Sequence, residues 1–207
     1  ALTCALQAVT VDSYARQLIK TNNDVSYYDS LKAAVDAATS NSGSTVKLLQ
    51  NIKIEAYSLG IEGCKNPFTI DLNGTTLSTD IDPTAKPGNL VFYLKNNDAQ
   101  LTLINSASTQ AVIKSQRAFH IQYSGSVIIG KPDGSDSNIK FELSTMLATS
   151  TTDNTGSITI YGGTFECPVN VSTAENAGVS KVTLYGGTFS KIGVAATDSL
   201  VGTLAEG

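Results

Sequence analysis

The sequence predicts an all-β solenoid, a single-stranded parallel β-helix with an N-terminal α-helical cap, and three observations carry that prediction. The pattern Ile158-Thr159-Ile160-Tyr161-Gly162-Gly163-Thr164-Phe165 returns as Val182-Thr183-Leu184-Tyr185-Gly186-Gly187-Thr188-Phe189, an offset of 24 residues from Gly162 to Gly186. A looser copy, Ile70-Asp71-Leu72-Asn73-Gly74-Thr75-Thr76-Leu77, has Thr75 for the second Gly and Leu77 for Phe. Pairs of alternating apolar residues recur through the rest of the chain at similar spacing, and one amphipathic helix precedes them. A strand, a bend and a strand repeated every two dozen residues describe one coil of a solenoid.

Taken in order, Leu6, Ala8, Val9 and Val11 suit a strand. Tyr14, Leu18 and Ile19 share one face of a short helix capped by Asp12 or Ser13, and a helix is the reading adopted for that segment. A second helix is expected over about 29–39. Ser30 offers a capping oxygen, Leu31, Ala34, Val35 and Ala38 repeat at i, i+3, i+4 and i+7, and Asn41-Ser42-Gly43 ends the run. So short a stripe needs a second apolar surface to lie on. The open first coil of a solenoid is one, and without a cap its strand edge faces water. Residues 1–44 are therefore assigned to a cap, 45–194 to the β-helix and 195–207 to a tail folding over the last coil.

Two kinds of strand alternate. One points Ile70/Leu72, Leu101/Leu103, Val127/Ile129, Ile158/Ile160 and Val182/Leu184 inward; the other points Phe92/Leu94, Phe119/Ile121 and Ile139/Phe141/Leu143. Loop insertions are expected at 79–89, 131–138 and 149–157. The Gly pairs read as bends with φ > 0 that return Phe165, Phe189 and Leu77 to an interior stack.

Composition narrows the function. Hydrophobic residues make up 41% and charged residues 15%, which suits short strands and turns and not a disordered chain. The net charge is −4 and Arg16 and Arg117 are the only arginines, which argues against nucleic acid or an anionic membrane as partner. No apolar run is long enough for membrane insertion, and the chain, opening at Ala1, reads as a mature or excised piece. Cys4, Cys64 and Cys167 lie far apart with no CxxC, which favours buried thiols over zinc, and a Cys64–Cys167 bridge is disfavoured. Asp133-Gly134-Ser135-Asp136-Ser137-Asn138 has oxygens at alternate positions but lacks the distal Glu of a calcium loop, and reads as a polar turn. No metal or cofactor is expected.

The Gly-Gly-Thr-Phe turns, the helix Tyr28–Ala38 running into Thr45-Val46-Lys47-Leu48-Leu49, and the closing Leu204-Ala205-Glu206-Gly207 together resemble the right-handed parallel β-helix proteins of bacterial cell surfaces. These belong to the broad pectin-lyase-like fold, and many come from gut or oral Gram-positive bacteria. The resemblance covers the chain from about residue 25. It implies a right-handed coil, secretion or surface display, and adhesion or contact with a glycan or host surface. A shared fold does not transfer an activity.

Enzymes of that fold act on acidic polysaccharides with clustered carboxylates, or with calcium-binding acids and a basic residue. This chain has no Asp-Asp pair, no Asn-Thr-Asp run and no Arg-x-Lys. His120, its only histidine, is expected outward, beside Tyr93 on the preceding coil and Lys140 on the next, with Lys95, Gln122 and Glu142 as a parallel row. His120, Glu142 and Lys140 are thus the catalytic candidates, ranked below a plain solvated face. Tyr161 and Tyr185, outward and one coil apart, form an aromatic ladder suited to sugar rings, with Asn73 in the same place in the looser copy. Tyr161, Tyr185, Tyr93 and Asn73 are the ligand-binding candidates. The chain is read as a secreted or cell-surface module for adhesion or carbohydrate binding, non-catalytic. An atypical polysaccharide lyase or glycoside hydrolase, and a structural spacer in a larger surface protein, are the alternatives.

Overall fold

A short strand cannot satisfy its own amides, and in this protein most strands find their partners one coil away. The structure, a computed structural model, describes residues 16–55, 57–62, 66–82, 84, 88–95, 98–150, 156–169, 171–173, 181–191 and 202–204. β1 (Arg16–Ile19) and β2 (Val25–Tyr28) lead into α1 (Leu31–Thr39). Then β3 (Thr45–Leu48), β4 (Ile52–Lys53) and β5 (Leu59–Ile61) make one coil, and β6 (Phe68–Asp71), β7 (Thr76–Ser78) and β8 (Leu90–Leu94) the next. β9 (Gln100–Ile104) is followed by the long β10 (Ala111–Ile121), and β11 (Ser126–Ile129) by the long β12 (Ile139–Ser150). β13 (Ser157–Ile160), β14 (Thr164–Pro168) and β15 (Val171–Thr173) precede β16 (Lys181–Leu184), β17 (Thr188–Lys191) and β18 (Gly202–Leu204).

These strands form three parallel ladders, and the molecule is a β-solenoid of stacked coils, as the repeats predict. The first ladder runs β3, β6, β9, β11, β13, β16, β18. The second runs β4, β7, the first half of β10, the first half of β12, β14 and β17. The third takes β5, β8, the second halves of β10 and β12, and β15. β10 and β12 thus each belong to two ladders, and their mutual register shifts between Ser115 and Arg117, where one ladder gives way to the next. β18 falls in the stretch assigned to a tail, and there it extends the first ladder on β16.

In-register pairing puts like on like inside. Phe68, Leu101, Val127, Ile158 and Val182 share one column, and Ile70, Leu103, Ile129, Ile160 and Leu184 share another. On the second ladder the column is Ile52, Leu77, Ile113, Phe141, Phe165 and Phe189. Ring centroids are 4.6 Å apart from Phe141 to Phe165 and 5.0 Å from Phe165 to Phe189. Phe92 and Phe119 stack at 5.6 Å on the third ladder. Each fully buried ring contributes roughly 2–3 kcal/mol of hydrophobic stabilisation.

The two glycines of each pair do different work. Only the second, Gly163 (φ 119°) and Gly187 (φ 123°), holds a backbone angle that a side chain resists. The first is required by space: a Cβ on Gly186 falls 2.7 Å from the Tyr161 carbonyl oxygen on the coil before it.

Four expectations are corrected. Residues 16–19 form a strand, not a helix; β1 pairs antiparallel with β2 and with β3, and Leu18 is its one fully buried side chain. Residues 1–15, where the other part of that reading falls, lie outside the described residues, as do Cys4 and Cys64. Ile70 belongs with Leu103 and not Leu101, because the bend from Ile70 to Leu77 is two residues longer than that from Ile160 to Phe165. Phe141 belongs to the second ladder, paired with Ile113; Phe119 pairs with Ala148 on the third, although the two rings meet inside the coil with centroids 6.4 Å apart. Thr149 and Ser150 complete β12, so no loop starts there.

α1 is the only helix among the described residues, and no helix among them is long and apolar enough to cross a membrane. The Ser30 hydroxyl accepts the Ala33 amide at 3.4 Å, and Leu31, Ala34, Val35 and Ala38 are buried against β1, β2, β3 and β5. The helix therefore closes the N-terminal end of the coil interior, while the β1–β2 hairpin continues the edge of the first ladder.

Replacing Phe165 by Ala removes the middle ring of a stack and should cost about 3–5 kcal/mol of unfolding free energy in urea. Tyr185→Ala, on the outside, should cost no more than about 1.5 kcal/mol. Equal losses would contradict the inward and outward assignment.

Candidate functional site

The same register stacks outward side chains. One residue past the column Ile70, Leu103, Ile129, Ile160 and Leu184 come Asp71, Ile104, Gly130, Tyr161 and Tyr185. The two tyrosine rings lie 4.9 Å apart, 19° from parallel, and Tyr185 is 55% exposed. Mutual stacking covers one face of each ring, so what the pair offers is the outer face of Tyr185 and the hydroxyl edges. Gly130, below Tyr161, opens a turn closed by Lys131 N–H to the Ser135 carbonyl (3.1 Å) and Gly134 N–H to the Lys131 carbonyl (2.8 Å). Asp136 pairs with Lys131 at 2.5 Å, and the Asp133 carboxylate accepts the Ser135 amide at 2.9 Å, so this loop's acids already have partners. Between this turn and the Gly pairs lies a cleft of about 500 Å³ with Asp136, Ser137, Asn138, Tyr161, Thr164 and Thr188 around it.

Asn73 does not share the tyrosine column; Asp71 does. Asn73 sits in the left-handed region (φ 47°) and donates its side-chain amide to the Leu48 carbonyl at 2.9 Å. Asp71 is buried and accepts from the Asn73 and Ser106 amides and the Ser106 hydroxyl, at 2.9, 3.0 and 2.6 Å. Both hold the bend together.

A second constellation lies on the third ladder, where β8, β10 and β12 place Tyr93, His120 and Thr149 in one outward row. The Tyr93 and His120 rings meet edge to face at 4.7 Å. His120 Nδ1 is 2.8 Å from Thr149 Oγ1, which also accepts from Arg117 Nη1 at 3.0 Å. Arg117 Nη2 donates to the Tyr57 hydroxyl at 3.2 Å and to the Gly88 carbonyl. Gln122 donates to the Tyr93 hydroxyl at 2.7 Å, and Lys95 lies over the Tyr93 ring while pairing with Glu62. An arginine can only donate, so Thr149 Oγ1 accepts there, and its second lone pair and its own proton are both left to face Nδ1. In either sense the contact engages Nδ1 and leaves Nε2 as the outward nitrogen of the ring. Burial first, then the Arg117 charge, hold His120 below the ordinary imidazole range.

Lys140 and Glu142, expected near His120, are on the second ladder instead, in register with Val112 and Lys114. Lys140 bridges Glu142 (2.9 Å) and Glu166 (3.0 Å), and Lys114 approaches Glu142 at 3.8 Å. The hydrogen bond from Lys140 leads the effects that hold the Glu142 carboxyl below its usual range. A carboxylate kept ionised by two ammonium groups is a poor proton donor. The three catalytic candidates therefore do not form one site. Arg117, Thr149 and Tyr57 are the residues the sequence reading missed. Arg117 reaches the His120 face because of the irregular register at Ser115–Arg117, which no simple alternation predicts. Cys167 is a free, buried thiol pushed up to about 12 by burial, which makes it unreactive.

Comparison with protein-family models, with curated proteins and with solved structures found no match.

Followed by NMR, His120 should titrate below the ordinary value of about 6.5, and Arg117→Gln should raise the midpoint part of the way, burial being the larger cause. The unfolded chain takes this proton more readily. His120's contribution to stability is therefore complete above about pH 6.5 and is lost as the pH falls through that value towards the folded midpoint. A midpoint at or above 6.5 in the folded protein would contradict the geometry.

Proposed function

We propose that this solenoid is a non-catalytic carbohydrate-binding or adhesive module, displayed on a cell surface or secreted, and that the Tyr161–Tyr185 edge with its adjoining cleft takes the sugar. The observation that carries the reading is the stacked, outward tyrosine pair at the rim of a cleft whose other walls are polar. A sugar has an apolar face and a ring of hydroxyls. It is held where an aromatic surface adjoins side-chain oxygens and amides in a concave site; Tyr161, Ser137, Asn138 and Thr164 line the cleft, and Tyr185 extends the aromatic surface from it by stacking on Tyr161. The likeness of the Gly-Gly-Thr-Phe coils to pectin-lyase-like surface proteins of gut and oral bacteria supports display outside the cell. The dispersal of His120 and Glu142 to different ladders favours binding over a lyase or hydrolase.

The test is a glycan array followed by titration calorimetry on the best neutral oligosaccharide. Wild-type protein should bind, and Tyr185→Ala should weaken binding by about tenfold or more, equivalent to ~1.4 kcal/mol. Tyr185→Phe, which keeps the ring, should retain most of the affinity. Binding unchanged in Tyr161→Ala and Tyr185→Ala, or no glycan bound at all, would favour a structural spacer.

A further inference from the structure

We infer that the Tyr57–Arg117–His120–Tyr93 face is a binding site for an anionic group, a carboxylate or a sulfate, separate from the tyrosine edge. Two outward hydroxyls each have a neighbour's proton pointed at them: Arg117 donates to that of Tyr57 (3.2 Å) and Gln122 to that of Tyr93 (2.7 Å), while Thr149 Oγ1 engages His120 Nδ1 (2.8 Å). Each hydroxyl has its own proton left to present, Tyr57 O–H and Tyr93 O–H, and His120 presents Nε2–H whenever its ring is protonated. No acceptor for any of the three is found among the described residues. A group of donors without acceptors, gathered about Arg117 and His120, is complementary to a ligand that only accepts.

Charge points the same way. Arg117 is half-buried, and its partners Thr149, Tyr57 and Gly88 are all neutral. Among the described residues it has no carboxylate within ion-pair distance, in a chain whose net charge is −4. Neutral acceptors orient a guanidinium without reducing its charge, so the field at this face stays positive. Among the described residues the other charged groups around His120 are Lys95 on the β8 side and Glu62 beyond β5, which pair with each other; β12 and β15 bring no ionisable residue to this row.

Binding and protonation are then coupled. In the free protein a proton on His120 is opposed by burial and by Arg117. A bound anion offsets the repulsion between the two cations and accepts from Nε2, so it favours the imidazolium. By linkage, affinity must rise as the pH falls through the interval between the free and bound midpoints.

The experiment follows the His120 ring resonances across pH 4.5–8 (about one and a half units either side of the ordinary value) at fixed ionic strength, with glucuronate, glucose 6-sulfate or glucose added. Glucuronate or glucose 6-sulfate should raise the His120 midpoint by about one unit and bind about tenfold more tightly on the acid side of that interval. Glucose should do neither, and the stronger of the two anions identifies the group. Arg117→Gln should lose the response, and Tyr185→Ala should keep it, which separates this site from the proposed sugar edge. If Arg117→Gln fails to fold, Tyr57→Phe decides: its ring is 50% exposed, and loss of the one hydroxyl should weaken anion binding several-fold. No response to either anion, an equal response to glucose, or a response that survives both Arg117→Gln and Tyr57→Phe overturns the inference.

Discussion

Everything in this protein depends on coil-to-coil pairing of parallel strands in a fixed register. A β-strand alternates its side chains, so a slip of one residue would turn every inward group outward. Once the register is set, the fold needs no globular jigsaw. Each coil has only to match its neighbours, and the phenylalanine column from Phe141 to Phe189 is that matching repeated. The Gly pairs serve the same end. Gly187 supplies an angle and Gly186 supplies clearance, so one coil's bend can settle on the one before it.

The constraint that builds the interior also organises the surface. Outward residues are held in rows at strand spacing, so a surface property belongs to a column and not to a residue. Tyr161 and Tyr185 are a pair because their coils are; Lys140, Glu142 and Glu166 neutralise one another because the second ladder aligns them. The third ladder differs in one respect. Among the described residues its arginine has only neutral partners. The contrast between a self-neutralised row and a charged one, on neighbouring faces of one coil, is an electrostatic asymmetry of the described surface.

Much of this was legible in the sequence where the pattern was strict. The two Gly-Gly-Thr-Phe copies gave the coil length, the interior phenylalanine stack and the outward tyrosines. The Leu31–Ala38 stripe located the helix. What was hidden came from departures from strict repetition. The looser copy at Ile70 has a bend two residues longer, so alignment of its Gly with Gly162 displaces its first strand and puts Asn73 where Asp71 stands. The end of β12, Thr149 and Ser150, reads as the start of a loop because its polar residues carry no alternation; it is strand because β10 offers it a partner. β1 contains a single fully buried residue, Leu18, and its identity is settled by β2 and β3 on either side and by α1 packed against it. The Arg117–Thr149–His120 contact depends on both the register shift and that polar strand, so it lay beyond any reading of local pattern.

The stacking register itself can be measured by double-mutant cycles in urea unfolding. Phe141 and Phe165 are neighbours in one column, whereas Phe92 and Phe165 belong to different ladders. Leucine substitutions at 141 and 165 should show a coupling of about 0.5–1.5 kcal/mol. Those at 92 and 165 should add to within about 0.5 kcal/mol. Additivity between 141 and 165, or strong coupling between 92 and 165, would contradict the alignment of coils on which the whole description rests.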